Sequence, residues 1–286
     1  MKIAGRTIGT GSTFVIAELG INHNGDLRTA LKLIDAAKEA GADAVKFQVG
    51  DPEKYVNAGM WDTPRETPWG TMPYIEYRKR MELSPTGLTA TRDYAHARGI
   101  EWFASPLNPE AVPTLETMGA PCYKVASPKL TDAHLLDSVR ATGKPVLLST
   151  GMSTTTEIDQ AVAAFDPWNV VVMHCTSAYP CPPELVNLSI IERMREVYPY
   201  VGFSDHTPGV PTSVAAVAMG ACVIERHLTL SRAMWGSDHA ASLEPNALRT
   251  LVGYIRTIEA SMGDGIKRTY PQEDANRAKF RRTHAA

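Results

Sequence analysis

Eight short apolar runs, each followed by a stretch with helical spacing, constrain this chain more than any other feature. They are FVIAELG (14–20), AVKFQV (44–49), EWFASP (101–106), CYKVAS (122–127), PVLLSTG (145–151), VVVMHCTS (170–177), VGFSDH (201–206) and CVIERHLT (222–229). Near-continuous apolar runs of this length mark strands buried on both faces, as in parallel sheets. The helix ends between them are legible. Asp26 caps a helix carrying Leu27, Leu31, Ile34, Ala37 and Ala40, which stops at Gly41. Ser84-Pro85 opens another that ends at Gly99, and further helices are expected over 108–118, 132–142, 153–164, 188–198, 210–219 and 245–262. Alternation of strand and helix implies a parallel sheet, and a count of eight suggests closure into an α/β (β/α)8 TIM barrel. All 286 residues are read as one such domain, ending in a tail over 264–286.

One unit is irregular. Residues 50–83 separate the second strand from its helix and hold Trp61, Trp69, Tyr74 and Tyr77 among several prolines. A long connection in a compact domain is usually functional or disordered. It reads as a lid over a site, or as an insertion packed on the barrel wall.

Composition excludes several classes. With 29 basic and 31 acidic residues the net charge is −2, so there is no basic excess for nucleic acid. A hydrophobic share of 44% excludes a disordered chain, no apolar stretch is long enough to cross a membrane, and the start lacks the apolar segment of a secretory signal. Cys122, Cys175, Cys181 and Cys222 are scattered without a CxxC pair, which fits free, buried thiols in a cytoplasmic protein.

Polar residues gather where the strands end. Glu18, then Asn22, His23 and Asn24, follow the first strand, and Lys46 and Gln48 lie in the second. Ser105, Lys124, Ser127, Ser149 and Thr150 belong to the next three. The last three supply His174, Thr176, Ser177, Tyr179, Ser204, Asp205, His206, Glu225, His227 and Thr229. Catalytic groups of such barrels sit at this C-terminal mouth, and buried polar groups without partners are costly. Because side chains alternate along a strand, Lys46 and Gln48 share one face, as do Glu225 and His227.

Two strand lysines among hydroxyls suit an anion, a phosphate or a carboxylate, held by Lys46 and Lys124 with Ser105, Ser127, Ser149 and Ser204. The alternative is a pair of structural salt bridges to Glu18 or Glu225. No GxGxxG or GxxxxGK[ST] supports a dinucleotide or P-loop site. His206 and His227 end neighbouring strands, and with a carboxylate such as Asp238 or Glu225 they suit a divalent transition metal; each alone is equally a hydrogen-bonded structural histidine. His174 reads as a core residue, and His96, His134 and His284 as surface residues.

Taken in order, FVIAELGINHNG, AAKEAGADAVKFQ, YKVAS, PVLLSTGMS, HCTSAYPCPPELVNL, GFSDHT, IERHLT and GSDHAASLEP closely resemble the N-acetylneuraminate (sialic acid) synthase family. The resemblance spans residues 12 to 283 and is specific for the family, though not for one sugar. It implies a TIM barrel that condenses phosphoenolpyruvate with a sugar aldehyde, using Mn2+ or a similar divalent ion such as Mg2+ or Co2+. Lys46, Ser105, Lys124, Ser127, Ser149 and Ser204 match phosphoenolpyruvate positions, and Ser177 falls where some members carry Asn. His206 and His227 match metal ligands, whereas Glu18, Gln48, Tyr179 and Asp238 match positions that hold the sugar. Glu18 is the candidate for proton transfer or hydroxyl orientation, with Glu225 in the substrate-facing set.

The resemblance also implies a homodimer or higher homo-oligomer, while charge and hydropathy already argue against a nucleic-acid or membrane partner. Two departures stand out. The family's antifreeze-like C-terminal domain, which brings an arginine to the acylamino-sugar of the partner subunit, is expected after Arg281-Arg282-Thr283, and this sequence runs only to Ala286. Pro128-Lys129 stands where a Gly and an acidic residue are usual, so an extra cation is expected to meet a more acidic substrate. The acceptor is therefore open between N-acetylmannosamine, a legionaminic or pseudaminic precursor, and an antibiotic- or nucleoside-pathway sugar. A non-catalytic sugar- or partner-binding barrel is the reading from another class.

Overall fold

The computed structural model of the chain describes residues 1–281, so Arg282, Thr283 and His284 lie outside the described residues. Eight parallel strands close into a barrel. They are β1 (Phe14–Gly20), β2 (Ala44–Val49), β3 (Glu101–Pro106), β4 (Tyr123–Val125), β5 (Val146–Ser149), β6 (Val170–Cys175), β7 (Val201–Asp205) and β8 (Val223–His227). The principal helices between them are α1 (Leu27–Ala40), α2 (Pro85–Arg98), α3 (Ala111–Thr117), α4 (Ala133–Arg140), α5 (Thr155–Ala163), α6 (Ile190–Val197), α7 (Pro211–Ala218) and α8 (Pro245–Ser261). This is the expected (β/α)8 architecture, with element ends within a few residues of those read from sequence.

The helix ends follow from local chemistry. Asp26 accepts the Thr29 amide at the start of α1, and Gly41 closes it in the left-handed region at φ 89°. Thr154 and Glu157 form a reciprocal capping box on α5. Inside each strand, alternation divides the side chains between two cores. Val15, Ala17, Val45, Trp102, Tyr123 and Phe203 face the helices, whereas Phe14, Ile16, Ala44, Phe103, Leu147 and Met173 fill the barrel.

The N-terminal segment closes the bottom. Residues 1–8 form a small hairpin, Lys2–Ile3 paired with Arg6–Thr7, whose Ile3 and Ile8 are buried against the barrel's lower core. With apolar side chains filling the lower interior, the polar interior positions are confined to the upper mouth. Residues 50–83 are not structureless. They contain a helical turn at Pro52–Tyr55, a hairpin of Pro64–Arg65 with Met72–Pro73, and a helix at Tyr74–Met81. Tyr77 and Met81 bury against Ile21, with Trp235 beside them, which anchors the segment on the barrel rim.

All four cysteines are free, three of them buried and Cys222 half-buried. Among the described residues no helix is long and apolar enough to cross a membrane. His96 and His134 are exposed.

Candidate active site

Strand register assembles the mouth. In β1, Glu18 lies beside Lys46 of β2 on one side and His227 of β8 on the other. Ser204 of β7 pairs in register with Glu225 of β8. Every one of these side chains is buried, so their charges and hydrogen bonds are resolved within the site.

The buried charges form one network. Lys46 Nζ lies 2.7 Å from Glu18 Oε2 and 3.5 Å from Glu225 Oε1, and donates to Ser105 Oγ at 2.8 Å. Lys124 Nζ donates to Ser149 Oγ at 2.6 Å and lies 3.4 Å from Glu225 Oε2. Gln48 donates to Glu18 Oε1 at 3.0 Å, so both oxygens of Glu18 are held. The salt-bridge alternative for the lysines is thus realised in the free cleft.

Burial disfavours every charge here, and the partners decide the outcome. Burial alone would push Lys46 down, but Glu18 and Glu225 together hold its ammonium above the usual range. Lys124, with only the longer contact to Glu225, is pulled down by burial. Burial opposes the Glu225 carboxylate too, yet Lys124, Lys46 and the two histidines hold it well below the usual range.

Beside the lysines lies a floor of hydroxyls. Ser127 is not in β4 as its apolar run suggests but in the turn after it, at Ser127–Lys129, where its Oγ accepts the Gly151 amide at 3.1 Å. Ser177 Oγ is buried with no hydrogen-bond partner among the described residues. A Cβ at Gly151 would stand 2.2 Å from Ser177 Oγ and 2.8 Å from Ser127 Oγ, so only glycine lets these hydroxyls close over the backbone. An unsatisfied buried hydroxyl packed, like Ser127, against Gly151 at the edge of the cleft fits a ligand-facing shell better than a packed core.

His206 and His227 converge, with ring centroids 5.3 Å apart. His206 Nδ1 lies 3.2 Å from Thr176 O, an arrangement that leaves Nε2 bare. Burial first, and His227 second, depress His206 to about 3, so its imidazole is neutral at ordinary pH. His227 Nδ1 is buried without a hydrogen-bond partner among the described residues and lies 3.7 Å from Asp238 Oδ2. Among the described residues no cluster of three His, Cys, Asp or Glu side chains is poised around an ion. The protein's offer is two imidazoles, which leaves further coordination positions open. Tyr179 covers the pair, its ring 4.1 Å from that of His206.

Asp238 comes from the loop after β8, which is braced on the loop after β1. Asn22 Nδ2 donates to Leu228 O and Ser242 Oγ, Asn24 Nδ2 donates to Trp235 O, and His239 Nδ1 lies 2.7 Å from Thr229 Oγ1. The sequence reading noted Asn22 and Asn24 but missed His239.

Two further residues were missed. Arg226, fully buried, points outward between Glu225 and His227 and meets Asp205, which points outward between Ser204 and His206. The ion pair locks together the strand ends that carry both histidines. Cys175 was read as an ordinary core thiol; it is buried, but it lines the cleft with its Sγ 4.0 Å from His206 Nδ1. Its parity with Val171 and Met173, both interior, was the available signal. His174 is the core residue expected, its Nε2 2.6 Å from Val186 O.

Eleven of the fourteen site candidates line one cleft; the other three stand one contact behind it, Ser105 on Lys46, Asp238 beside His227 and Ser177 against Gly151. The inner cleft, of about 50 Å3, is lined by Glu18, Lys46, Lys124, Ser149, His206 and Glu225 among others. Through Gln48, Ala126, Pro128 and Tyr179 it opens into a vestibule of about 460 Å3 walled by residues of the 50–83 segment.

A model of the NeuB family matches residues 33–267. The N,N'-diacetyllegionaminic acid synthase of Campylobacter jejuni is 37% identical over 272 residues, covering 92% of this chain and 81% of that protein. The human N-acetylneuraminate-9-phosphate synthase is 39% identical over 269 residues, covering 92% of this chain and 74% of that protein. Among solved structures, the N-acetylneuraminic acid synthetase of Leptospira borgpetersenii, in complex with citrate, superposes with a TM-score of 0.86 at 30% identity, covering 99% of this chain and 97% of that one.

Proposed function

The chain belongs to the NeuB family, and from that premise we propose that it condenses phosphoenolpyruvate with the open-chain form of an amino-sugar. The products are a sialic-acid-type 2-keto-3-deoxy sugar acid and inorganic phosphate. The observation that carries this reading is the buried Lys46–Glu225–Lys124 network, with the Ser105 and Ser149 hydroxyls on its lysines, at the bottom of a cleft that widens toward solvent.

In the reaction, carbon 3 of phosphoenolpyruvate bonds to the aldehyde carbon, whose oxygen takes a proton. Water adds at carbon 2, and the carbon–oxygen bond to phosphate breaks. Lys46 and Lys124 hold phosphate and carboxylate, with Ser105, Ser127, Ser149, Ser177 and Ser204 completing the shell; such preorganised charge carries much of the rate. Glu18, fixed by Lys46 and Gln48, stands where it orients a sugar hydroxyl or moves a proton. Gln48, Tyr179, Glu225 and Asp238 border the path of the incoming sugar.

The charge balance points to a cation. Two lysines facing Glu18 and Glu225 sum to zero, and Asp238 adds a negative charge, which is a poor receptor for a multiply charged anion. His206 and His227, one bare at Nε2 and the other orphaned at Nδ1, fit a divalent ion, Mn2+ foremost, with Mg2+ or Co2+ as alternatives. Such an ion supplies positive charge and Lewis-acid polarisation of the aldehyde.

Phosphate release on mixing the protein with phosphoenolpyruvate, Mn2+ and a panel of aldoses tests the reading. Release that depends on an amino-sugar is expected. Phosphoenolpyruvate binding without release, across the panel, would replace the synthase with a binding barrel.

A further inference from the structure

Asp238 and His227 face each other across a gap that the fold holds open. Asp238 Oδ1 accepts from Ser237 Oγ at 2.6 Å, while Oδ2 lies 3.7 Å from His227 Nδ1, outside hydrogen-bond range. A charge-assisted bond between the two groups would be about 2.7–2.9 Å long. What keeps them apart is the backbone on either side.

One side-chain amide fixes both sides. Asn22 is 1% exposed, and its Nδ2 donates to Leu228 O at 2.9 Å and to Ser242 Oγ at 2.8 Å. A carbonyl can only accept, so the nitrogen of Asn22 must face Leu228, the residue after His227. Ser242, also buried, donates its own proton to Asp238 O at 2.7 Å, where the Ala241 amide makes a longer bond of 3.2 Å. Asn22 thus grips the backbone beside His227 directly and that of Asp238 through one hydroxyl. The neck of the loop is fixed as well, since Leu243 N donates to His227 O at 2.8 Å and Thr229 N to Leu243 O at 2.9 Å. Ser242 therefore starts from a position set by β8, and its bond to Asp238 O decides how near the carboxylate comes to the imidazole. Asn22 Oδ1 is buried with no hydrogen-bond partner among the described residues. A bare buried acceptor is costly, so the two bonds made by Nδ2, rather than packing, account for an asparagine at this position.

We infer that Asn22 and Ser242 are positioning residues that hold the Asp238 carboxylate off His227, so that Nδ1 stays free for the divalent ion. Without the tie, Asp238 closes on His227, the imidazole donates its Nδ1 proton to the carboxylate, and the lone pair that would bind the ion is lost. The inference rests on the reading of His206 and His227 as ligands of that ion.

Calorimetry of Mn2+ binding to the free protein reads the tie without turnover. In Ser242→Ala the ion must displace an Asp238–His227 hydrogen bond, and a bond to a charged group corresponds to about ten-fold in affinity. Ser242→Ala is therefore expected to bind Mn2+ about ten-fold more weakly than the wild type, and Ser242→Thr, which keeps the hydroxyl, as tightly as the wild type. In an Asp238→Ala background, Ser242→Ala is expected to change nothing further, because the group it positions is gone. Equal affinity of the wild type and Ser242→Ala overturns the inference. So does the same loss in both backgrounds, the signature of a merely structural role, or a Thr variant as weak as the Ala one. If Ser242→Ala does not fold, Ser242→Val against Ser242→Thr repeats the comparison, with two side chains alike in shape that differ in the hydroxyl. Should the wild type bind no Mn2+, the metal reading fails, and a crystal structure of Ser242→Ala decides the tie alone. His227 Nδ1 within about 3.2 Å of the Asp238 carboxylate sustains it, and an unchanged gap removes it.

Discussion

Asp205→Asn is the sharpest probe of how the fold holds the site. The Asp205 carboxylate is 2% exposed and Arg226 is 0% exposed, so water screens neither. Asp205 Oδ2 accepts from Arg226 Nη1 at 2.7 Å, Thr212 Oγ1 at 2.7 Å and Ser213 Oγ at 2.5 Å, while Oδ1 accepts the Thr207 amide at 2.8 Å. Asparagine is nearly isosteric, but it leaves a buried guanidinium with only neutral acceptors and offers an amide to some of the donors. Removing one partner of a buried pair costs about 3–5 kcal/mol, a large part of the roughly 5–15 kcal/mol that stabilises a domain. Arg226→Met should cost less, because Asp205 keeps three donors. In the double variant the two losses should not add, since each single change already breaks the same pair. Urea unfolding followed by fluorescence measures all three. Because His206 and His227 each sit one residue beyond the pair, KM for phosphoenolpyruvate should also rise in Asp205→Asn at temperatures where it is folded. Single losses below about 1 kcal/mol, or losses that add in the double variant, would refute the clamp.

Ser177→Ala separates function from stability. It removes a buried hydroxyl that has no partner, so stability should hold or rise by about 1 kcal/mol, while KM for phosphoenolpyruvate increases; a drop in stability would mean that the hydroxyl is satisfied in the free protein. His206→Ala and His227→Ala should each abolish metal-dependent turnover, and full activity of either in the presence of a chelator would remove the metal role. Stability should also fall with acid. Burial holds His23 at about 4 and His206 at about 3, against 6.5 when unfolded. The unfolded chain therefore binds more protons below pH 6.5, and stability is lost as pH falls from there toward the folded values. Between pH 7 and pH 5 the loss is about 2 kcal/mol for each histidine, read from urea midpoints in metal-free buffer; a flat profile would contradict these burials.

The fold was legible because each strand and helix carried its own local signal. Asp26 and Gly41 bounded α1, and β-branched runs such as VVVMHC marked strands buried on both faces. Strand parity also placed the Lys46/Gln48 and Glu225/His227 pairs inside the barrel. What parity left unread was the opposite face. Arg226 looked like one more polar residue of IERHLT, and its partner became visible only when β7 and β8 lay in register beneath Thr212 and Ser213 of α7. Parity also had the means to move Cys175 from core to cleft. Distances between strand ends depend on barrel closure, so sequence left open whether the lysines meet ligands or carboxylates. The 50–83 segment showed its aromatics without showing that Tyr77 would bury on the rim while Arg78, one residue on, faced the vestibule.

Closure of the barrel also ranks two lysines that the sequence treats as equals. Lys46 is bound tightly, 2.7 Å from Glu18, and its ammonium is held above the usual range against burial. Among the described residues Lys124 meets one carboxylate, at 3.4 Å, beyond the 2.7–2.9 Å of a strong charge-assisted bond, and burial pulls it down. An arriving anion therefore gains more from Lys124, which has the weaker prior partner, whereas Lys46 chiefly compensates Glu18. Lys46→Ala strands a carboxylate that is 1% exposed and should cost about 3–5 kcal/mol of stability. Lys124→Ala leaves Glu225 with Lys46, so its stability cost should be smaller, and its main effect should be a higher KM for phosphoenolpyruvate. Urea midpoints and steady-state kinetics on the two variants measure both quantities. If Lys124→Ala proves the more destabilising, or leaves that KM unchanged, the ranking is wrong and the two lysines share the anion equally.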